Sequence, residues 1–289
     1  MNPAGIYLHI PFCRSRCSYC DFATDIYDAA LADRYTAALI KEIDAWRNEG
    51  DLPEVDTIYF GGGTPSLLAP AQATRILECV RARFRVQPGA EVTMEMNPGT
   101  VTPQALAELR RAGINRASFG AQTFDDQELR RLGRSHTAAD ARRTLRDLRA
   151  ANYENINLDL IAGLPGQTRD AWARNLDAAL ELRPEHLSLY LLEVHEGTPL
   201  ASQIRRGVQP QPSDDAAVEM YQLMLRRRRG RLRALRNFQL LFAGTRVAPQ
   251  HKILDRRSRL RLRLLRALFR RSPRALVKRA RRPALRGPC

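Results

Sequence analysis

Short apolar runs alternate with amphipathic segments along the first 225 residues of the chain. The runs are rich in β-branched and aromatic residues and are too short for helices, so they predict strands. The predicted strands cover residues 6–10, 55–60, 91–96, 114–119, 155–161 and 186–192.

Between these runs, apolar residues recur every three or four positions, as at Leu31, Tyr35 and Leu39. This spacing places them on one face of a helix. Thr102 and Thr168 precede two of these segments and are a residue type that caps helix N-termini. The predicted helices cover residues 31–46, 70–84, 125–132, 137–150, 169–182 and 214–225, with one more that starts at residue 103.

Six strand–helix pairs with mostly apolar strands predict an α/β fold in which parallel strands are covered by helices. In parallel barrels of this kind the chemistry lies at the carboxyl ends of the strands. We therefore expect functional side chains directly after the predicted strands.

Cys13, Cys17 and Cys20 follow the first predicted strand in the pattern C-x3-C-x2-C, after Pro11 has ended the strand. Three close thiolates on one loop can hold three corners of an iron–sulfur cube. No fourth cysteine is near, and position 22, two residues past Cys20, is Phe. We therefore expect one iron to remain open for a substrate.

A zinc site, a disulfide and a redox C-x-x-C pair are the alternatives for these thiols. A structural zinc site takes four ligands, usually from two separated pairs, and the sequence has no second pair. A thioredoxin-like pair would open a helix without a third thiol. Cys79 sits on an apolar helical face and is expected in the core, and Cys289 has no evident role.

The C-x3-C-x2-C pattern after a first strand resembles the radical S-adenosylmethionine (SAM) superfamily. The flanking motifs Y-x-H-I-P-F-C (residues 7–13) and F-G-G-G-T-P-S (residues 60–66) resemble the branch that holds oxygen-independent coproporphyrinogen III oxidase and the heme chaperone HemW. The resemblance covers about residues 5–225. The oxidase pattern has a fourth cysteine where Phe22 stands, and HemW-like proteins do not.

This resemblance implies a partial (β/α)6 radical SAM barrel with a [4Fe–4S] cluster held by the three cysteines and by exchangeable SAM. In the family, one electron from the cluster cleaves SAM to methionine and a 5′-deoxyadenosyl radical. A HemW-like protein would act in heme handling, with heme or porphyrin, an electron donor and a heme-acceptor protein as partners. The alternative is coproporphyrinogen III oxidase, which decarboxylates two propionates to vinyls.

The resemblance also implies a set of SAM contacts, most of them polar residues at predicted strand ends. Gly62 and Gly63 belong to a glycine loop that would receive the SAM amino group, because glycines allow close approach and leave backbone N–H groups accessible. Taken singly, each polar residue could instead be a satisfied structural group. The matching residues are Tyr7, Tyr19, Gly62, Gly63, Thr64, Glu95, Gln122, Arg134 and Asp159.

Clustered free thiols and the lack of a secretion signal at the N-terminus indicate a reducing compartment, which we expect to be the cytoplasm. No apolar run approaches the ~20 residues that a transmembrane helix needs. The sequence therefore predicts a protein without a transmembrane segment.

The formal net charge of +16 is unevenly distributed. Residues 226–289 carry 23 Lys and Arg and one acid, Asp255, whereas residues 1–225 carry 24 basic and 30 acidic residues. Such a basic arm is typical of proteins that bind nucleic acid or acidic lipid. The arm has few aromatic residues, which gives base stacking little support.

A frameshift in the coding sequence is our hypothesis for this arm. Codons permitted for residues 230–270, read one base out of frame, can give a peptide that resembles the family's continuation, including an H-N-x-x-Y-W stretch. We therefore predict a radical SAM core at residues 1–225 and a poorly ordered, non-native tail at residues 226–289. Nucleic-acid binding through the tail is the alternative of another class, and it leaves the cysteine and glycine loops unexplained.

Overall fold

Most strands of the protein form one parallel sheet. The computed structural model describes residues 3–46, 54–229 and 237–242. Its strands are β1 (Ala4–Ile10), β2 (Phe12–Cys13), β3 (Asp25–Ile26), β4 (Val55–Gly62), β5 (Val86–Met96), β6 (Arg116–Gln122), β7 (Ile156–Ala162), β8 (His186–Leu191) and β9 (Asn237–Phe242).

The sheet has the order β1–β4–β5–β6–β7–β8–β9, and every neighbouring pair is parallel. Each strand is therefore added beside the previous one, with a helical crossover between them, as in a β/α barrel. β2 and β3 form a separate two-stranded parallel pair beside the end of β1.

Helices connect the strands of the sheet. They are α1 (Ala29–Asp44), α2 (Pro70–Arg83), α3 (Pro103–Ala112), α4 (Asp126–Arg131), α5 (Ala138–Ala150), α6 (Arg169–Glu181), α7 (Pro199–Arg205) and α8 (Asp214–Arg229), with a 3₁₀ turn at Pro65–Leu67. The two predicted caps are confirmed, because the hydroxyls of Thr102 and Thr168 accept the backbone N–H groups of Ala105 and Ala171.

All six predicted strands and all seven predicted helices are present, which confirms the α/β fold class. β5 begins earlier than predicted, and a register shift between Val55 and Thr57 of β4 accommodates its additional residues. The sequence analysis missed the short helix α7 and the pair β2–β3.

The sheet also extends beyond residue 225, the predicted end of the core. α8 ends at Arg229, and β9 pairs with β8 in register from His186–Asn237 to Leu191–Phe242. The other residues of the predicted tail, 230–236 and 243–289, lie outside the described residues.

The two faces of the sheet differ in polarity because side chains alternate along each strand. Phe60, Met94, Phe119, Leu158 and Leu187 are fully buried on the apolar face, which the helices cover. The other face, here called the inner face, carries buried polar residues. They include Thr93, Arg116, Ser118, Asn157 and Ser188. The prediction of mostly apolar strands therefore holds for one face of each strand.

No described helix combines the length and the apolar character that crossing a membrane would require.

Candidate cofactor site

The three N-terminal cysteines lie on one folded-back loop between β1 and α1. The loop closes where β3 pairs with β2, so that Cys13 stands opposite Ile26. The N–H of Asp25 donates to Pro11 O at 2.7 Å, and the N–H of Tyr27 donates to Cys13 O at 2.8 Å. This closure confines Cys13, Cys17 and Cys20 to one short turn, here called the cysteine loop.

Two neighbouring segments hold the middle of the cysteine loop through Ser18. The N–H of Ser18 donates to Leu132 O at 2.9 Å, and Ser18 O accepts the N–H of Leu200 at 2.8 Å. Gly133, with φ of +70°, lets the chain pass close to Ser18 N. The position of Cys17 is therefore fixed by the α4–α5 connection and by α7.

The thiols of Cys13, Cys17 and Cys20 are free and half-buried. Burial raises the pKa of Cys13 and of Cys20, and the nearby Cys17 adds to both shifts. Within the described part of the chain, no three His, Cys, Asp or Glu side chains converge as ligands of a single metal ion. A cube does not require such convergence, because each thiolate binds a different iron.

Two of the three thiols accept hydrogen bonds from residues of the predicted SAM site. Thr64 Oγ1 donates to Cys13 Sγ at 3.7 Å, and Arg134 Nη1 donates to Cys17 Sγ at 3.5 Å. Donors of this kind stabilise thiolates, which are the form that binds iron. The thiol set and its donors therefore fit an iron–sulfur cluster.

The glycine loop at the end of β4 passes directly beneath the cysteine loop. A Cβ on Gly63 would lie 2.6 Å from Phe12 O and 3.0 Å from Cys13 Sγ. At Gly62, with φ of +123°, a Cβ would lie 2.7 Å from the ring of His9. Glycine is required at both positions, because a side chain at Gly63 would displace the cysteine loop and one at Gly62 would displace the end of β1.

The backbone N–H groups of the glycine loop are already bonded within the protein. Gly62 N–H donates to Glu95 Oε2 at 2.9 Å, and Gly63 N–H donates to Ile10 O at 2.8 Å. The expectation that these N–H groups are accessible to a ligand is therefore wrong. An amino group is itself a donor, so it would have to be received by carbonyl oxygens of this loop.

Glu95 and Asp159 place two carboxyl groups on the inner face. Glu95 accepts Tyr59 Oη at 2.8 Å in addition to the Gly62 N–H, and Asp159 accepts Asn157 Nδ2 at 2.7 Å. Burial raises the pKa of Glu95 to about 7, with a contribution from Asp159, and raises the pKa of Asp159 to about 6. A cationic ligand would favour the ionised form of both groups.

Arg134 lies in the α4–α5 connection and reaches the ends of three other segments. Its Nη2 donates to Asn97 Oδ1 at 2.7 Å and to Gly120 O at 2.8 Å, while Nη1 faces Cys17. The alternative interpretation of Arg134 as an exposed charge on a helix is therefore wrong. Arg134 is half-buried, and both of its Nη groups donate hydrogen bonds.

Gln122, Tyr7 and Tyr19 complete the predicted set. Gln122 ends β6 after a register shift, with φ of +65°, and its amide folds over Gly120. Tyr7 stacks on Tyr59 with ring centroids 6.0 Å apart and is 41% exposed. Tyr19 packs against a small apolar cluster of Leu132, Ile161 and Leu164, and its burial raises the pKa of its hydroxyl.

The predicted residues thus gather at one end of the sheet. Gly62 and Gln122 are the last residues of β4 and β6, and Glu95 is the second-last residue of β5, whereas Tyr7 and Asp159 lie in mid-strand. The structure brings Thr64 and Arg134 into contact with the cysteines and places Glu95 beneath Gly62.

The sequence analysis missed several polar residues that surround this set. Asn97 Nδ2 donates to Thr64 Oγ1 at 2.8 Å. Arg116 is 4% exposed and donates to His186 Nδ1 at 2.9 Å, next to Asn157 and Ser118. The signal was a polar residue at every second position, as in Glu91, Thr93, Glu95 and Asn97, which a search for apolar runs overlooks.

Comparison with known families gives one match to the core of the chain. The profile of the radical SAM superfamily matches residues 7–179, which is more than half of the chain and includes all three cysteines. It also includes every residue of the predicted SAM site.

Two curated relatives are heme chaperones. The chain is 40% identical over 228 residues to the heme chaperone HemW of Mycobacterium tuberculosis and 38% identical over 223 residues to that of Escherichia coli. Both alignments cover 77% of this chain and 58% of the relative. The chain thus spans less than two thirds of the length of these relatives.

A solved structure with a similar fold is coproporphyrinogen III oxidase (HemN) from Escherichia coli, which its description calls a radical SAM enzyme. The TM-score is 0.70 with 30% sequence identity, and the match covers 79% of this chain and 53% of the oxidase.

Proposed function

Because this chain belongs to the radical SAM superfamily, we propose that it binds a [4Fe–4S] cluster and SAM and acts in heme handling as a HemW-like protein. The observation that carries the proposal is the gathering of three free thiols, two of which accept hydrogen bonds from Thr64 and Arg134. The family implies the cluster and SAM, and these residues fit both.

Cys13, Cys17 and Cys20 would hold three irons of the cluster and leave the fourth for SAM. Phe22, two residues after Cys20, is 63% exposed and offers no ligand. When bound, the cluster supplies one electron for the reductive cleavage of SAM. Gly63, which has no side chain, lets Phe12 O and the Cys13 thiol lie close to the end of β4.

The remaining predicted residues would bind the parts of SAM by charge and hydrogen-bonding type. Arg134 suits the SAM carboxylate, and Glu95 and Asp159 suit ribose hydroxyls or a cationic group. Tyr7, Tyr19 and Gln122 would border the ligand, and carbonyl oxygens near Gly62, Gly63 and Thr64 would receive the amino group.

Heme handling is supported by the resemblance to HemW and by the missing fourth cysteine. Heme or porphyrin would be the cargo, an electron donor would reduce the cluster, and a heme-acceptor protein would take the cargo. The free thiols are consistent with our proposal that the protein works in the cytoplasm.

Coproporphyrinogen III oxidase activity is the second candidate, favoured by the structural similarity to the Escherichia coli oxidase. Incubation of the reconstituted protein with coproporphyrinogen III, SAM and a reductant separates the two. Formation of protoporphyrinogen IX would support the oxidase, and no turnover together with heme binding would support the chaperone.

The primary test is anaerobic iron–sulfur reconstitution followed by spectra before and after addition of SAM. We expect about four irons per chain in the wild type and an electron paramagnetic resonance spectrum that changes with SAM. Cys17→Ala serves as the ligand-deficient control. A cluster whose spectrum ignores SAM would contradict the open iron.

We further propose that residues 1–225 are the radical SAM core and that residues 226–289 are an arginine-rich tail produced by a frameshift. Resequencing of the gene across codons 220–235 tests this, and an intact frame would overturn it. Nucleic-acid binding by the tail would instead give an affinity that falls steeply with salt and survives Cys13→Ala.

A further inference from the structure

We propose that Asn97 is a positioning residue that directs the hydrogen bonds donated to two of the three cluster cysteines. This inference rests on the proposed function, because it concerns the thiolates that would hold the cluster. The sequence analysis did not assign any role to Asn97.

Asn97 links the two donors through opposite ends of its amide. Its Nδ2 donates to Thr64 Oγ1 at 2.8 Å, and its Oδ1 accepts Arg134 Nη2 at 2.7 Å. The orientation of the amide is determined, because a guanidinium can only donate and must therefore face the oxygen. The NH₂ group is then left to face Thr64.

The Thr64 hydroxyl has one hydrogen, and Asn97 decides where it points. Because Oγ1 accepts from Asn97, its own hydrogen is free to be donated to Cys13 Sγ, which lies 3.7 Å away. A group at position 97 that accepted hydrogen bonds instead would attract this hydrogen away from the thiolate.

The Arg134 guanidinium is oriented in the same way. Asn97 Oδ1 and Gly120 O both accept from Nη2, and this pair of bonds fixes the plane of the guanidinium so that Nη1 faces Cys17. Asn97 therefore acts on Cys13 through Thr64 and on Cys17 through Arg134.

The backbone around Asn97 is held rigidly. Thr100 Oγ1 donates to Asn97 O at 2.6 Å, and Ser66 Oγ lies 2.9 Å from Thr100 Oγ1. The N–H of Gly99 donates to Thr144 Oγ1 at 3.1 Å. Because these hydrogen bonds fix the turn that begins at Asn97, the side-chain amide of Asn97 stays in place while it bonds to Thr64 and Arg134.

Hydrogen bonds to the sulfurs of a cluster raise its reduction potential. Asn97→Asp has nearly the same shape as Asn97 but presents acceptors to both partners. The Thr64 hydrogen would turn to the new carboxylate, and the charge of Arg134 would be paired with it. Both changes shift the reduction potential in the negative direction.

The test is a redox titration of the reconstituted full-length chain, followed by the electron paramagnetic resonance signal of the reduced cluster. We expect Asn97→Asp and Thr64→Val each to shift the potential negatively. The double variant should shift no further than Asn97→Asp alone, because the bond to Cys13 is already lost. Thr64→Ser, which keeps the hydroxyl, should retain the wild-type potential.

Asn115→Asp is the matched control. The amide of Asn115, the residue before β6, also makes hydrogen bonds at both ends: its oxygen accepts the Val92 N–H and its NH₂ group donates to Ala90 O, both in the middle of β5. Its potential should equal that of the wild type even if the fold is destabilised. If Asn97→Asp loses iron, Asn97→Ala takes its place: it removes the bonds that orient Thr64 and Arg134 without adding charge, and it should also shift the potential negatively.

An unshifted potential in the Asn97 variant, or additive shifts in the double variant, would overturn the inference. These outcomes differ from failure of the proposed function, in which the wild-type chain itself would assemble no SAM-sensitive cluster.

Discussion

Arg134 Nη1 lies 3.5 Å from Cys17 Sγ, although 117 residues separate the two along the chain. Next to this contact, the N–H of Ser18, the residue after Cys17, donates to Leu132 O at 2.9 Å. The cysteine loop and the α4–α5 connection are thus joined by a side-chain bond and a backbone bond side by side. A change at Arg134 should consequently affect both the proposed cluster and the proposed carboxylate site of SAM.

Arg134→Met should weaken SAM binding at least about tenfold, because a hydrogen bond to a charged group contributes about 1.5–3 kcal/mol. The apo fold should lose about 1–3 kcal/mol, since Asn97 Oδ1 and Gly120 O lose their donor. Calorimetric titration with SAM and chemical denaturation measure the two effects. Arg134→Lys keeps the charge, and its affinity for SAM should lie between those of the wild type and the Met variant. A Met variant with wild-type affinity for SAM would contradict the assignment.

Gly63→Ala should abolish most cluster loading, because the new Cβ would lie 2.6 Å from Phe12 O and displace the cysteine loop. Gly89→Ala is the control, since a Cβ there meets no atom within 4 Å. The control has a φ of +80° and should lose about 1–2 kcal/mol of stability while keeping its iron. Iron analysis after reconstitution measures cluster loading in both variants. Equal iron content in Gly63→Ala and Gly89→Ala would refute the steric argument.

Cys79→Ala should leave iron content unchanged and lower stability by about 1 kcal/mol. The Cys79 thiol donates to Ile40 O at 3.6 Å on α1 and lies outside the cysteine loop. Cys13→Ala, Cys17→Ala and Cys20→Ala should each prevent formation of a stable four-iron cluster. Loss of iron in the Cys79 variant would show that the ligand set is not the predicted one.

As the pH rises from 5 to 8, ionisation of Glu95 and Asp159 should lower the stability of the apo protein. Buried His136, whose pKa is lowered to about 4, offsets only part of this loss. The pKa of Glu95 is raised by burial to about 7 and that of Asp159 to about 6, so folding favours their protonated forms. Their stabilisation is complete below the unfolded pKa values and is lost as the pH passes through the folded values.

Glu95→Gln should remove a large part of this pH dependence, because the amide does not ionise and can still accept a hydrogen bond from Tyr59. Denaturant unfolding at pH 5.5 and pH 8 measures the change. Glu154→Gln, at an exposed position, should keep the wild-type slope. If Glu95→Gln leaves the change in unfolding free energy between pH 5.5 and pH 8 unaltered, Glu95 does not titrate in this range as proposed.

This chain should bind heme less well than the frame-corrected chain. Residues 226–289 carry 22 net positive charges, and strong self-repulsion with few buriable side chains opposes a packed domain. Heme titration of the two chains side by side measures the difference. Equal, stoichiometric binding would show that the tail is native.

The sequence by itself determined the element order and the identity of the cysteine loop. Apolar periodicity predicted six strands of the sheet and seven helices, because that pattern is local and follows from the geometry of the chain, but it did not predict α7, the pair β2–β3 or β9. The spacing of Cys13, Cys17 and Cys20 indicated the cluster for the same reason, since all three belong to one short loop.

Tertiary structure decided how the segments behind this loop are connected. The bonds of Asn97 to Thr64 and Arg134 join residues 33 and 37 positions apart, and nothing in their local sequence specifies which partners they meet. The engagement of the glycine-loop N–H groups with Glu95 and Ile10 likewise depends on strands that become neighbours on folding. Hydrogen bonds between side chains require positions in space, and a one-dimensional pattern gives residue types without those positions.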